Sequence, residues 1–160
     1  MLLHEALTAG RKTIVERWFQ AILATYPEDT ARFLTSVADP FANPVGHTVR
    51  QGLERLYDGL VAGAPDQDFA AAIDGIVRIR AVQEFAPSAA VGFVYALRGI
   101  LREELAGSGL DAAAQATLDS GVDRLALVAF DTYMKCREKI FEIRVREIRE
   151  SQILAARLGA

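Results

Sequence analysis

The chain has 160 residues, 51% of them hydrophobic, with 18 basic and 21 acidic side chains and a net charge of -3. That length buries one sizeable core and predicts a single domain over residues 1–160, while the mild acidity lacks the positive field by which nucleic acid or an anionic membrane is met. The single cysteine, Cys136, excludes an internal disulfide framework; with no leader-like N-terminus and no apolar run near 20 residues, a cytoplasmic protein without membrane insertion is expected.

Ile14, Val15, Trp18, Phe19, Ile22, Leu23 and Tyr26 recur at the spacing of an amphipathic helix, with Thr13 as its expected cap and Pro27 as its stop. A short helix is expected over 28-EDTARFLTS-36, whose first residues are acidic, as the helix dipole prefers. The connector 39-DPFANPVGHTVRQG-52 leads into a stripe of Val45, Val49, Leu53, Leu56, Tyr57 and Leu60 that breaks at 62-AGAP-65. Residues 67–85 form the next segment, ended by Pro87, which disfavours helical geometry at Ala86. A further helix begins at Pro87 or Ser88 and closes at 106-AGSG-109. From about Asp111 a last segment carries Leu118, Val122, Leu125, Ala129, Tyr133, Cys136, Ile140 and Ile143, and no Pro or Gly stands between Val122 and Leu158.

No segment alternates with period two, so the fold class is all-α: a single helical bundle of five or six main helices with a long C-terminal helix, for which a globin-like arrangement is one option. The expected core includes Trp18, Phe19, Ile22, Leu53, Ile76, Phe93, Leu97, Leu125 and Phe130.

Four stretches carry a family resemblance: WFQAILATYP at 18–27, FANPVGHTVRQGLE at 41–54, VRIRAVQEFAPSAAVGFVYALRGI at 77–100 and DTYMKCREKIFEIRVREIR at 131–149. Together they resemble the N-terminal domain of the RsbT co-antagonist RsbRD over almost the whole chain. The resemblance implies a helical, dimeric sensory or interaction module of the kind that stands ahead of a STAS domain in stress-signalling assemblies. The sequence stops at Ala160 with no STAS domain after it, so a stand-alone chain is expected. No catalytic residue is carried over.

In the connector, Asn43-Pro44 reads as a helix start, with Asn as cap and Pro at the first helical position. Gly46 in the first turn costs about 1 kcal/mol relative to alanine, which implies a close approach to the backbone. With His47 and Arg50 beside it, the helix start would suit an anion. On the next helix Arg78 pairs by spacing with Asp74, whereas Arg80 extends the stripe of Phe69, Ile73, Ile76 and Val77, so it must snorkel, pair with a carboxylate, Glu84 being one turn on, or face a ligand. The candidate ligand-binding residues are therefore Asn43, Gly46, His47, Arg50 and Arg80. On the last helix Ile140, Phe141, Ile143, Val145 and Ile148 occupy more than one side, one side for the bundle and the other for a second chain.

No phosphate loop, nucleophile triad or Glu-x-x-His motif is present, so no catalytic residues, metal or cofactor are expected. Haem would have only His4 and His47 as histidine ligands, with axial Cys or Met left open. The favoured function is a non-enzymatic signalling or protein-interaction module, a homodimer with an unidentified protein partner; a small-ligand sensor is the alternative, and a haem or redox-cofactor globin-like protein comes third.

Overall fold

The computed structural model describes residues 2–159, and Met1 and Ala160, the ends of the expected 1–160 unit, lie outside them. The elements in order are α1 (Leu3–Leu23), α2 (Glu28–Ser36), α3 (Pro44–Ala62), α4 (Asp66–Val82), α5 (Pro87–Val91), α6 (Phe93–Glu104) and α7 (Ala112–Leu158). All are helices, and no strand occurs among the described residues.

Two boundaries differ from expectation. α1 begins at Leu3, leaving Thr13 inside the helix rather than at its cap. The reason is burial: Ala6 and Leu7 face the core, and Gly10 costs little because a Cβ there would crowd the Ile14 side chain at 2.9 Å. The segment after Pro87 is broken at Gly92 into α5 and α6. A Cβ at Gly92 would lie 2.8 Å from the Ser88 carbonyl oxygen, so the chain tightens there only with glycine. Elsewhere the local chemistry holds: Ala86 is extended ahead of Pro87, Gly63 closes α3 in the left-handed conformation at φ 67, and the Asp111 carboxylate accepts the Ala114 N–H at 2.8 Å to start α7.

Five helices close a ring. α1 packs on α3, α3 on α4, α4 on α7, α7 on α6, and α6 back on α1, while α5 wedges against α7, α4 and α6 and α2 lies on α3. The interior is filled by fully buried Trp18, Phe19, Leu53, Tyr57, Phe69, Ile76, Leu97, Leu125 and Tyr133. Buried polar tips are satisfied: the Trp18 indole N–H donates to the Phe93 carbonyl at 2.7 Å and the Tyr57 hydroxyl to the Leu7 carbonyl at 2.7 Å. Burial pushes the Tyr57 pKa up to about 12. Most seams of the ring carry an outer ion pair, Arg11–Asp58 between α1 and α3, Arg17–Glu104 between α1 and α6, Arg98–Asp119 between α6 and α7, and Arg124–Asp66 between α7 and α4. Each such pair contributes at most about 1 kcal/mol, so they fix register more than stability. The α3–α4 seam is closed instead by contact: a Cβ on Gly52 would stand 2.8 Å from Ile76 Cδ1.

Of the expected core residues, Phe130 alone is out of place, at 47% exposure. The stripe of α7 that faces the ring is Leu118, Val122, Leu125, Ala126, Ala129 and Tyr133, and Phe130 falls about 100° round the helix from Ala129. Apolar character alone does not place a residue inside. In urea unfolding, Trp18→Ala is expected to cost about 3–5 kcal/mol. Phe130→Ser, measured in dilute solution, is expected to stay within about 0.5 kcal/mol; comparable losses at the two positions would contradict the placement.

Candidate functional site

The connector from Val37 to Asn43 is organised by one side chain. The Asn43 Oδ1 accepts the Gly46 N–H at 3.0 Å, and its Nδ2 donates to the Leu34 and Val37 carbonyls, each at 2.9 Å. Asn43 is thus cap and cross-link at once, tying the end of α2 to the start of α3, with Pro44 at the first helical position. Gly46 is required by this arrangement, because a Cβ there would meet the Asn43 amide at 2.4 Å. The close approach inferred from the glycine is therefore made by the protein's own cap. Asp39 accepts the Phe41 N–H at 3.0 Å and forms a turn.

Asn43, Gly46, His47 and Arg50 line one shallow pocket of about 290 Å³ with Leu34, Thr35, Val37 and Ala38. Its polar groups are largely engaged. Arg50 donates to Glu16 at 2.7 Å and lies 4.0 Å over the Phe19 ring, and this bond holds the Glu16 carboxyl below its usual range. His47 is exposed. What the arrangement does chemically is seat α3 on α1 and α2.

Arg80 does not join that cluster. It is 1% exposed, and it donates to the Ala89 carbonyl at 3.2 Å and to the Thr25 hydroxyl at 3.0 Å. Its Cζ stands 4.6 Å from the Phe85 ring centre, 5.5 Å from Tyr26 and 5.8 Å from Phe93. The expected Glu84 partner is a correction: Glu84 has φ 61, leaves the helical path and pairs instead with Arg144 of α7 at 3.0 Å. Three aromatic faces offset part of the cost of burying this cation, and desolvation lowers its pKa. Arg78 pairs with Asp74 at 2.8 Å as its spacing implies.

A cleft of about 790 Å³ leaves no local signal in the sequence because its walls come from three distant segments: Leu3, His4 and Leu7 of α1, Leu60 to Gly63 at the end of α3, and residues between Ala116 and Arg124 of α7. Its lining is mostly apolar, with His4, Thr117, Ser120 and Arg124 as the polar members. No cluster of three His, Cys, Asp or Glu side chains able to hold a metal occurs among the described residues. His4 and His47 are both exposed on different helices. Cys136 is half-buried, and desolvation raises its pKa, the opposite of an activated thiol.

The five candidate interface residues divide between two faces of α7. Ile140 and Ile143 border the groove that also contains Val82, Cys136 and Lys139. Phe141 and Val145 line a different groove with Glu142, Arg146 and Arg149, and Ile148 is exposed beyond it. From Phe141 to Gly159 every residue is exposed except half-buried Val145. Arg144 makes the last ion pair to the bundle among the described residues.

If Asn43 is the structural hinge of this region and His47 a solvated neighbour, Asn43→Ala is expected to destabilise by about 2–3 kcal/mol, since it removes a cap and strands two carbonyls. His47→Ala is expected to change stability by less than about 0.5 kcal/mol. Thermal and urea unfolding of the two variants check this, and equal effects would count against it.

The sequence profile described as the RsbT co-antagonist protein rsbRD N-terminal domain matches residues 12–148. A protein of Archaeoglobus fulgidus, described as uncharacterized, is 31% identical over 138 residues, covering 86% of this chain and 83% of its own length. No solved structure matches the chain significantly. No helix of the described residues is long and apolar enough to cross a membrane. On the extent of the profile match and the identity to this relative, the chain belongs to the RsbT co-antagonist protein rsbRD N-terminal domain family.

Proposed function

We propose that this protein is a non-enzymatic signalling and protein-interaction module that works as a homodimer, with α7 as the element through which two chains meet. The observation that carries this reading is the exposed apolar content of α7 where it leaves its bundle: Phe141 at 68%, Ile148 at 58% and Leu154 at 58% exposure. Apolar side chains in such number on a free helix call for a second surface, and two-fold self-association is the commonest way to supply one. Membership of a family of co-antagonist domains supports the signalling role, and the engaged polar groups around Asn43 and Arg80 lend none to catalysis. A small-molecule input is compatible with the same role: the 790 Å³ cleft has the size and mostly apolar lining of a ligand site and is built partly from α7.

Sedimentation equilibrium tests the reading. The intact chain is expected to be a dimer at micromolar concentration, and Phe141→Glu combined with Ile148→Glu is expected to weaken association by at least about tenfold, because each buried side chain is worth about 1.5–3 kcal/mol. Circular dichroism should show the bundle unchanged. An intact chain that remains a monomer at tens of micromolar would overturn the proposal.

A further inference from the structure

Between the last turns of α4 and the middle of α7 lies an open groove of about 310 Å³. Asp74, Arg78 and Val82, one turn apart on α4, form one wall, and α7 between Thr132 and Ile143 forms the other. Val82 is 66% and Ile143 44% exposed, while Cys136 and Ile140 are half-buried against the core. One exposed aliphatic side chain needs no explanation, but two that line one groove with half-buried neighbours make a patch to be covered. This face is not the one proposed above for the pairing of chains. Lys139 and Ile143 stand about 140–180° round α7 from Phe141 and Ile148.

The two walls differ in charge. On α4, Arg78 and Asp74 pair with each other at 2.8 Å, so that wall is neutral. On α7, Lys135 and Lys139 stand one turn apart and exposed. Every ion pair among the described residues has an arginine as its cation, which leaves both lysines without one. The nearby Glu84 carboxylate does not serve them, because Arg144 holds it at 3.0 Å. The groove therefore carries three cations against one carboxylate, with the excess along the α7 wall of a chain whose net charge is -3.

These features select the occupant. From Thr132 to Ile143 the groove runs about 16 Å, or three helical turns. It is open along that length, whereas a small-molecule pocket encloses most of its ligand. Two lysines beside an apolar strip are also far short of the basic track that follows a nucleic-acid backbone. An amphipathic helix laid along the groove covers the strip with its apolar face, and carboxylates along one of its flanks complement the lysines.

We propose that the α4–α7 groove takes an acidic amphipathic helix of another protein, about three turns long, whose apolar face covers Val82 and Ile143 and whose carboxylates meet Lys135 and Lys139. This names the partner class for the interaction role above and rests on that role, but not on the dimer. Because one wall is α4 and the other α7, the occupant bridges the ring and the long helix beside the Glu84–Arg144 contact.

Cys136, the single thiol of the chain, lines the groove and serves as its reporter. Alkylation of Cys136 by iodoacetamide in the intact chain is followed with a synthetic three-turn helical peptide that has two leucines one turn apart and glutamates along one flank. A second peptide with lysines in place of the glutamates is the control. The glutamate peptide is expected to slow alkylation about tenfold at ten times its Kd, and the lysine peptide is expected to leave the rate unchanged. Lys135→Glu combined with Lys139→Glu, both exposed positions, is expected to weaken the glutamate peptide by at least about tenfold and to admit the lysine peptide. No protection at millimolar peptide, equal protection by both peptides, or binding that leaves Cys136 unprotected would each overturn the proposal. Protection by dodecanoate but by neither peptide would assign the groove to a small amphiphile and overturn it as well. Phe141→Glu combined with Ile148→Glu is expected to keep the protection. A monomer that is protected would sink the dimer and leave the groove, and an unprotected dimer would do the reverse.

Discussion

One helix is too long for the bundle that holds it. α7 has 47 residues and rises about 70 Å, whereas α1, the next longest with 21, rises about 32 Å. The ring can bury only the first half of α7, which it does through Leu118, Val122, Leu125, Ala129 and Tyr133. Everything unusual about the molecule follows from what that helix does with its remaining surface. The free half is apolar in places where solvent is the only neighbour within the chain, and the outward face is apolar even where the ring supports the other side.

The ring itself is conventional in its energetics and specific in its joints. Aromatic and aliphatic side chains fill it, and the few polar groups inside are tied to backbone: Trp18 to Phe93, Tyr57 to Leu7, Asn43 to three partners across the connector. Arg80 stands apart, a cation almost wholly buried with two neutral oxygens and three aromatic faces in place of a carboxylate. The loop that covers it also touches α7, since the Phe85 carbonyl accepts the Tyr133 hydroxyl and Glu84 meets Arg144. The end of α4 is thereby fastened to the long helix just where that helix leaves the ring.

The sequence made some of this legible and concealed the rest for physical reasons. Caps and breakers are local, so Asn43-Pro44, Gly63, Pro87 and Asp111 announce their helix ends without help from the fold. Thr13 misled because a threonine before an apolar run looks like a cap unless the burial of Ala6 and Leu7 is known. Spacing places Arg80 in the core but points to the wrong partner, because Glu84 turns left-handed at φ 61 and meets Arg144 instead. The large cleft needs residues from α1, α3 and α7 brought together and leaves no local signal. Phe130 shows the limit most clearly, for a helix with two apolar faces offers no way to tell from hydrophobicity which one the bundle takes.

The dimer we propose divides the labour simply: a ring that defines a shape and a helix that reports it to a second chain. Hydrogen exchange along α7, followed as protein concentration is raised through the association range, tests that claim most directly. Amides from Phe141 to Ala155 should gain protection in step with association, while those from Leu118 to Tyr133, already held by the ring, should not change. Protection beyond Phe141 that is the same at every concentration would contradict the account.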